Sequence, residues 1–156
     1  MIDARFHHVG IAVRSLDDAA AALRVAGLRL ASELPDTVDA GFGVRLRFLQ
    51  SPHGGPFVEL VEGLDTLSPV AGVLKRTGPG PYHLCLSVPN LEAARTELEA
   101  AAYRAVTPPM HAVAFSGALV QFFLHAACGL VELVEFVELG VPCHPPSREA
   151  SDDRSA

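Results

Sequence analysis

The strongest constraint on how this chain can fold is that it repeats itself. Residues 8–29 laid on residues 83–104 give seven identities in 22 positions: His8/His83, Val13/Val88, Leu16/Leu91, Ala19/Ala94, Leu23/Leu98, Ala26/Ala101 and Arg29/Arg104. A second match follows, in which residues 58–62 read VELVE and residues 131–135 read VELVE again. The first offset is 75 residues and the second 73, a difference that one loop absorbs. Each half therefore runs from a histidine near its start to a glutamate near its end. Neither half is long enough to bury a large core of its own, so the two must bury their faces against each other.

Local patterns give each half the order strand, helix, three strands. His7–Val13 is β-rich, Ser15 is placed to cap a helix with Asp17 and Asp18 in its first turn, and Gly27 is placed to stop it. Leu16, Ala19, Leu23 and Ala26 make one helical stripe, and Leu91, Ala94, Leu98 and Ala101 make its counterpart behind the cap Asn90. Strand-like runs follow near 29–34, 44–49 and 57–61, and again near 104–107, 117–124 and 129–136. The expected organisation is a first module over 1–62, a linker with a short Ser68-Pro69 helix over 63–80, a second module over 81–137, and a disordered tail over 138–156.

Alternation sorts each strand into two faces. Val9, Ile11, Val13, Val58, Leu60, Leu84, Leu86, Val88, Val131 and Leu133 fall on one face, all apolar, and this face should pack on the helices. The opposite face carries His8, Glu59, His83 and Glu132 among small residues (Gly10, Ala12, Cys85, Ser87) that leave room around them. His7 alternates away from this face. Two readings stand at this point. A histidine opening a strand is usually structural, and a VEL glutamate usually faces solvent. Two histidines and two glutamates placed alike in both halves would instead satisfy one another through a cation.

The formal charge of −6 argues against a nucleic-acid partner. No run approaches the roughly 18 apolar residues of a membrane span, and the expected compartment is the cytoplasm. Cys85, Cys128 and Cys143 have no framework spacing and are expected as free thiols. His53, His111 and His125 have no partner at ligand spacing. Gln121 is more easily read as a sheet-edge residue than as a cavity one, and Ser87 lacks the partners of a nucleophile.

FHHVGIAVRSLDDA at 6–19, PYHLCLSV at 81–88 and the two VELVE strands resemble the vicinal-oxygen-chelate superfamily, which includes glyoxalase I, methylmalonyl-CoA epimerase, extradiol dioxygenases and the bleomycin- and fosfomycin-resistance proteins. The epimerase and glyoxalase branch is the nearest in appearance, and the match spans residues 6–136. The resemblance implies an α+β fold in which two paired βαβββ modules form a cupped mixed sheet around one divalent ion (Co, Ni, Mn, Fe or Zn), held by His8, Glu59, His83 and Glu132. It further implies a homodimer and a small carbonyl or acyl-thioester substrate that chelates the ion through two oxygens. The chemistry would be that of an epimerase, an isomerase or a glyoxalase-type lyase, with Glu132 as the base and Glu59 as the second candidate. A drug-binding resistance protein of the same fold, and less readily an extradiol-type dioxygenase, are the alternatives. One departure stands out: where some epimerases carry a carboxylate on the third strand of the first half, this chain has Leu46 in VRLRFL.

Overall fold

The computed structural model describes residues 1–32 and 34–136; the expected tail lies outside the described residues. The first half consists of β1 (Arg5–Val13), α1 (Leu16–Val25), β2 (Arg29–Leu30), β3 (Thr37–Asp39), β4 (Val44–Gln50) and β5 (Phe57–Gly63). After α2 (Pro69–Thr77) the second half gives β6 (Gly80–Val88), α3 (Leu91–Ala100), β7 (Arg104–Ala105), β8 (Met110–Ala112), a 3₁₀ turn at Val113–Phe115, β9 (Ala118–His125) and β10 (Gly129–Glu135). The short strands β3 and β8 fall outside the sequence pattern. They sit 73 residues apart, at the offset of the VELVE repeat, so they belong to the duplication too.

All ten strands form one sheet in the order β2-β4-β5-β1-β6-β10-β9-β7, with β3 and β8 paired to β4 and β9. The halves join where β1 lies antiparallel to β6, and each of these strands has the VELVE strand of its own half as its parallel outer neighbour. Both histidine-bearing strands are thus central, with a glutamate-bearing strand on either side.

The helix-facing side follows the alternation pattern. Leu16 and Ala20 of α1 bury against Val13, Leu49 and Leu60, with Ile11, Ala19, Leu23 and Val58 packed around them. Leu91, Ala94 and Leu98 of α3 bury against Val88, Phe123, Val131 and Leu133. Leu84 is the exception. It lies on β6 at the seam and stays 44% exposed.

The second glutamate of each VELVE anchors a helix. Glu62 accepts a hydrogen bond from the backbone N–H of Leu16 at 2.8 Å, and Glu135 does the same for Leu91 at 2.6 Å. Each carboxylate meets a free donor at the positive end of a helix, while Ser15 and Asn90 cap the N–H groups of Asp18 and Ala93. One copy of VELVE therefore fixes the start of α1 and the other the start of α3.

The helix ends are matched in geometry but not in residue. Gly27 stops α1 at φ +96°, a conformation natural to glycine. Ala102, at the same place after α3, is held at φ +66°. A left-handed alanine costs about 1–2 kcal/mol, whereas the extra freedom that glycine gives the unfolded chain costs about 0.4–1 kcal/mol. The first effect wins. Ala102→Gly is expected to stabilise the fold by about 0.5–1 kcal/mol, read as a raised urea midpoint at unchanged slope.

Candidate metal centre

The parallel and antiparallel registers bring one residue from each of four adjacent strands to a single point. In β1 and β6, His8 pairs with Cys85 and Gly10 with His83. In the flanking strands, Glu59 is level with Gly10 and Glu132 with Cys85. The imidazole of His83 lies over Gly10, where a Cβ would stand 1.9 Å from its Cε1. The small residues do not leave an open cup. Gly10 is the seat of the His83 ring, while Ala12 and Cys85 are built into packed apolar clusters with Val61 and Val134.

His8, Glu59, His83 and Glu132 are each no more than 5% exposed. Their donor atoms all lie within 4.8 Å of one another. His8 Nε2 is 3.0 Å from His83 Nε2, 3.3 Å from Glu59 Oε2 and 3.2 Å from Glu132 Oε2. His83 Nε2 is 3.5 Å from the first carboxylate and 3.3 Å from the second. Two donors about 2.1 Å from a common centre are about 3.0 Å apart at a right angle and about 3.4 Å apart at a tetrahedral angle. Four of the five observed distances fall within those separations, and the His83–Glu59 distance of 3.5 Å lies just above them.

A second observation makes the same fit. Glu132 Oε2 is buried and has no hydrogen-bond partner, although both imidazole nitrogens are near it. His8 Nε2 and His83 Nε2 are within hydrogen-bond reach of each other, but neither satisfies this carboxylate oxygen. Two carboxylates and two imidazoles also match the charge and the mixed N/O preference of a borderline divalent cation.

The same crowding shifts protons in the ion-free chain. Burial disfavours a charged His8, but Glu59 and Glu132 outweigh it and raise its pKa to about 9. Burial favours a protonated Glu132, yet His8 and His83 beside it hold it well below the ordinary carboxylate range. Burial keeps the Cys85 thiol protonated, and Glu132 and Glu59 push it further up.

His7 corrects the sequence reading. Simple alternation turns it away from the site, but β1 has an irregular register between Phe6 and His8. This bulge sets His7 beside His8, with the Nδ1 atoms 2.8 Å apart. His7 is buried among Phe57, Phe115 and Phe136, each ring 5.4 Å from its own. Burial, together with His8 nearby, lowers its pKa to about 4.

Aromatic rings close over the site. Phe115, from the 3₁₀ turn, stacks on His8 at 6.0 Å, and Phe122 and Tyr82 pack edge-on against His83. Asp39, fully buried, ties this roof to the first half by accepting from Phe42 N and Val113 N at 3.2 and 3.0 Å. Neither Asp39 nor Phe115 carries a sequence signal, because their role arises only where two loops of different halves meet. On β4, Leu46 is buried with Val44, Val61 and Ala12, and Val44, Leu46 and Phe48 bring no carboxylate to the site. Gln121 is buried away from the four donors and donates to the Thr107 carbonyl. His53, His111 and His125 stay outside the cluster.

Two outcomes are expected. Because a cation must displace the His8 proton, apparent zinc affinity should climb about tenfold per pH unit from pH 6.5 towards pH 9, and then level off. Competition titration against a chromophoric chelator measures it, and a pH-independent affinity would contradict the shared-proton geometry. Gly10→Ala should displace the His83 ring and weaken zinc binding at least about tenfold, by the same titration, as expected for loss of a ligand's support.

Comparison with known proteins completes the picture. Residues 7–122 match the model of the Glyoxalase/Bleomycin resistance protein/Dioxygenase superfamily. The human mitochondrial methylmalonyl-CoA epimerase is 33% identical over 134 residues, covering 83% of this chain and 72% of that protein. An ethylmalonyl-CoA/methylmalonyl-CoA epimerase from Cereibacter sphaeroides is 36% identical over 102 residues, 64% of this chain and 72% of that one. The crystal structure of methylmalonyl-CoA epimerase from Mycobacterium tuberculosis superposes with a TM-score of 0.72 at 29% identity, covering 83% of this chain and 86% of its own. A Streptomyces coelicolor methylmalonyl-CoA epimerase in complex with 2-nitronate-propionyl-CoA shares the fold, with a TM-score of 0.71 at 23% identity over 85% of this chain and 97% of its own. With its cupped mixed sheet, its doubled module and its relatives among the epimerases, this chain belongs to the glyoxalase/bleomycin resistance protein/dioxygenase superfamily.

Proposed function

We propose that the protein is a metal-dependent epimerase acting at the α-carbon of an acyl-CoA or similar acyl thioester. The observation that carries this reading is the convergence of His8, Glu59, His83 and Glu132 at the seam of a fold whose relatives are named as acyl-CoA epimerases. A divalent ion held by these four groups would supply Lewis acidity at the substrate carbonyl and stabilise the enolate formed when the α-proton leaves.

The chain's own residues then move the proton. Glu132 is ionised at neutral pH and is the first candidate to accept it. A carboxylate held so low is a weak base, so abstraction depends on a carbonyl polarised at the same site. Inversion needs a proton returned to the opposite face. With Val44, Leu46 and Phe48 apolar, β4 cannot supply it. Glu59 can: it is the counterpart of Glu132 across the seam, on the other side of the histidine pair. The Phe48, Phe115 and Phe122 rings keep bulk water from a site that must hold a carbanion-like species.

The expected homodimer belongs to this same reading. The outermost strands β2 and β7 are two residues long, so few backbone groups are free at the edges and pairing would use a face of the sheet instead. Sedimentation velocity at micromolar concentration tests it.

The chemistry is tested by wash-in of deuterium at the α-carbon of acyl thioesters and 2-oxo compounds in D₂O, followed by NMR. Metal-loaded Glu132→Gln should keep its ion and lose exchange by about 10²–10⁴-fold. Exchange at the wild-type rate would move the base to Glu59. No exchange by the wild type, together with tight binding of a hydrophobic drug, would favour the resistance-type binding protein.

A further inference from the structure

The two halves hold their histidines differently. His8 Nδ1 lies 2.8 Å from His7 Nδ1. His83 Nδ1 is buried with no hydrogen-bond partner, and the residue before it is Tyr82. His7 and Tyr82 are the same position of the repeat. The first half thus places a nitrogen behind its imidazole, and the second relies on packing over Gly10 and against the Tyr82 and Phe122 rings.

A neutral imidazole has one N–H and one lone pair. For His8 Nε2 to present its lone pair to an ion held among the other three ligand atoms, Nδ1 must carry the hydrogen. That hydrogen points at His7 Nδ1, which must then be the acceptor, with the His7 proton on Nε2. The bulge at Phe6–His8 is what makes this possible, because a regular strand would send His7 to the helix side. Burial among three phenylalanines offers His7 no competing ionic partner among its ring contacts.

We propose that His7 is a positioning residue: by accepting the Nδ1–H of His8, it fixes the tautomer and the ring plane of His8 with Nε2 turned to the metal centre. This rests on the metal-dependent reading above. Partners of this kind orient ligating histidines and typically matter about 10–100-fold in metal affinity.

A competing use of the same atoms is a second ion. His7, His8 and Cys85 also lie within 4.8 Å of one another. That set offers a single thiol and no carboxylate, less anionic charge than a divalent cation calls for. The 2.8 Å Nδ1–Nδ1 distance is that of a hydrogen bond. The hydrogen bond is therefore the better account.

The test uses the full chain with zinc and cobalt. His7→Phe keeps the aromatic volume among Phe57, Phe115 and Phe136 but removes the acceptor. His7→Asn puts an amide oxygen near the place of Nδ1. Zinc affinity, by chelator competition, should fall about 10–100-fold in His7→Phe and recover most of that in His7→Asn. The visible spectrum of the cobalt form should change in the first variant and return in the second. In zinc-loaded wild type, proton NMR should show a slowly exchanging downfield Nδ1–H on His8, absent from His7→Phe. Unchanged zinc affinity in a folded His7→Phe overturns the proposal, as does failure of His7→Asn to recover any of the loss. Two ions per wild-type chain also overturn it, because His7 would then be a ligand. A wild type that takes up no ion at all removes the metal-dependent reading itself, a result distinct from wild type and His7→Phe binding equally well.

Discussion

The structure depends on two buried carboxylates being neutralised at the seam between β1 and β6. Glu59 and Glu132 are each 5% exposed, and the effective cost of taking an ion out of water is several kcal/mol. Beside them the pKa of His8 is pushed up to about 9, so it carries a proton at neutral pH, which offsets part of this charge. On the metal-dependent reading proposed above, a divalent cation between the two carboxylates and the two imidazoles would close the balance. The seam is also where the halves are hydrogen-bonded together, so the proposed cation would sit at the joint between the modules. That placement would explain why the central strands tolerate four polar side chains where a sheet of this width would otherwise bury hydrocarbon.

The VELVE repeat shows how five residues can carry two tasks. Its alternating residues split between faces, so Val58, Leu60, Val131 and Leu133 fill the clusters under α1 and α3. The first glutamate of each copy turns to the cup. The second, three residues on, lies on the helix side and anchors the first N–H of its helix.

Much of this was legible in the sequence because duplication makes a weak signal count twice. A single histidine near a single VEL would have been unremarkable; the same pair in each half located four strands and the faces of all of them. What stayed hidden has specific physical causes. His7 was missed because alternation assumes an unbroken register, and the bulge beside Phe6 breaks it. Gly10 reads as free space in the sequence, which cannot show that the ring of His83 fills it. The strands β3 and β8 are three residues long, too short for a periodicity to register. Asp39 and Phe115 meet through loops whose contact exists only after both halves have folded.

The departures from symmetry deserve a physical reading of their own, because a substrate has no twofold axis. The duplicated positions (His8 with His83, Glu59 with Glu132) surround one point evenly and do not by themselves distinguish one end of a bound molecule from the other. The unduplicated residues do. His7 stands opposite Tyr82 in the repeat, so one imidazole is held by a hydrogen bond and the other by ring packing. Asp39 stands opposite Ala112, at the offset shared by β3 and β8, so only the first half reaches across to fix the turn of the second. Phe115 then covers His8 and leaves His83 to Phe122 and Tyr82. With one imidazole clamped and roofed and the other seated on a glycine, the even set of donors acquires a direction. On the epimerase reading proposed above, the two carboxylates would then take different parts in two successive proton transfers, one removing the α-proton and the other returning a proton to the opposite face.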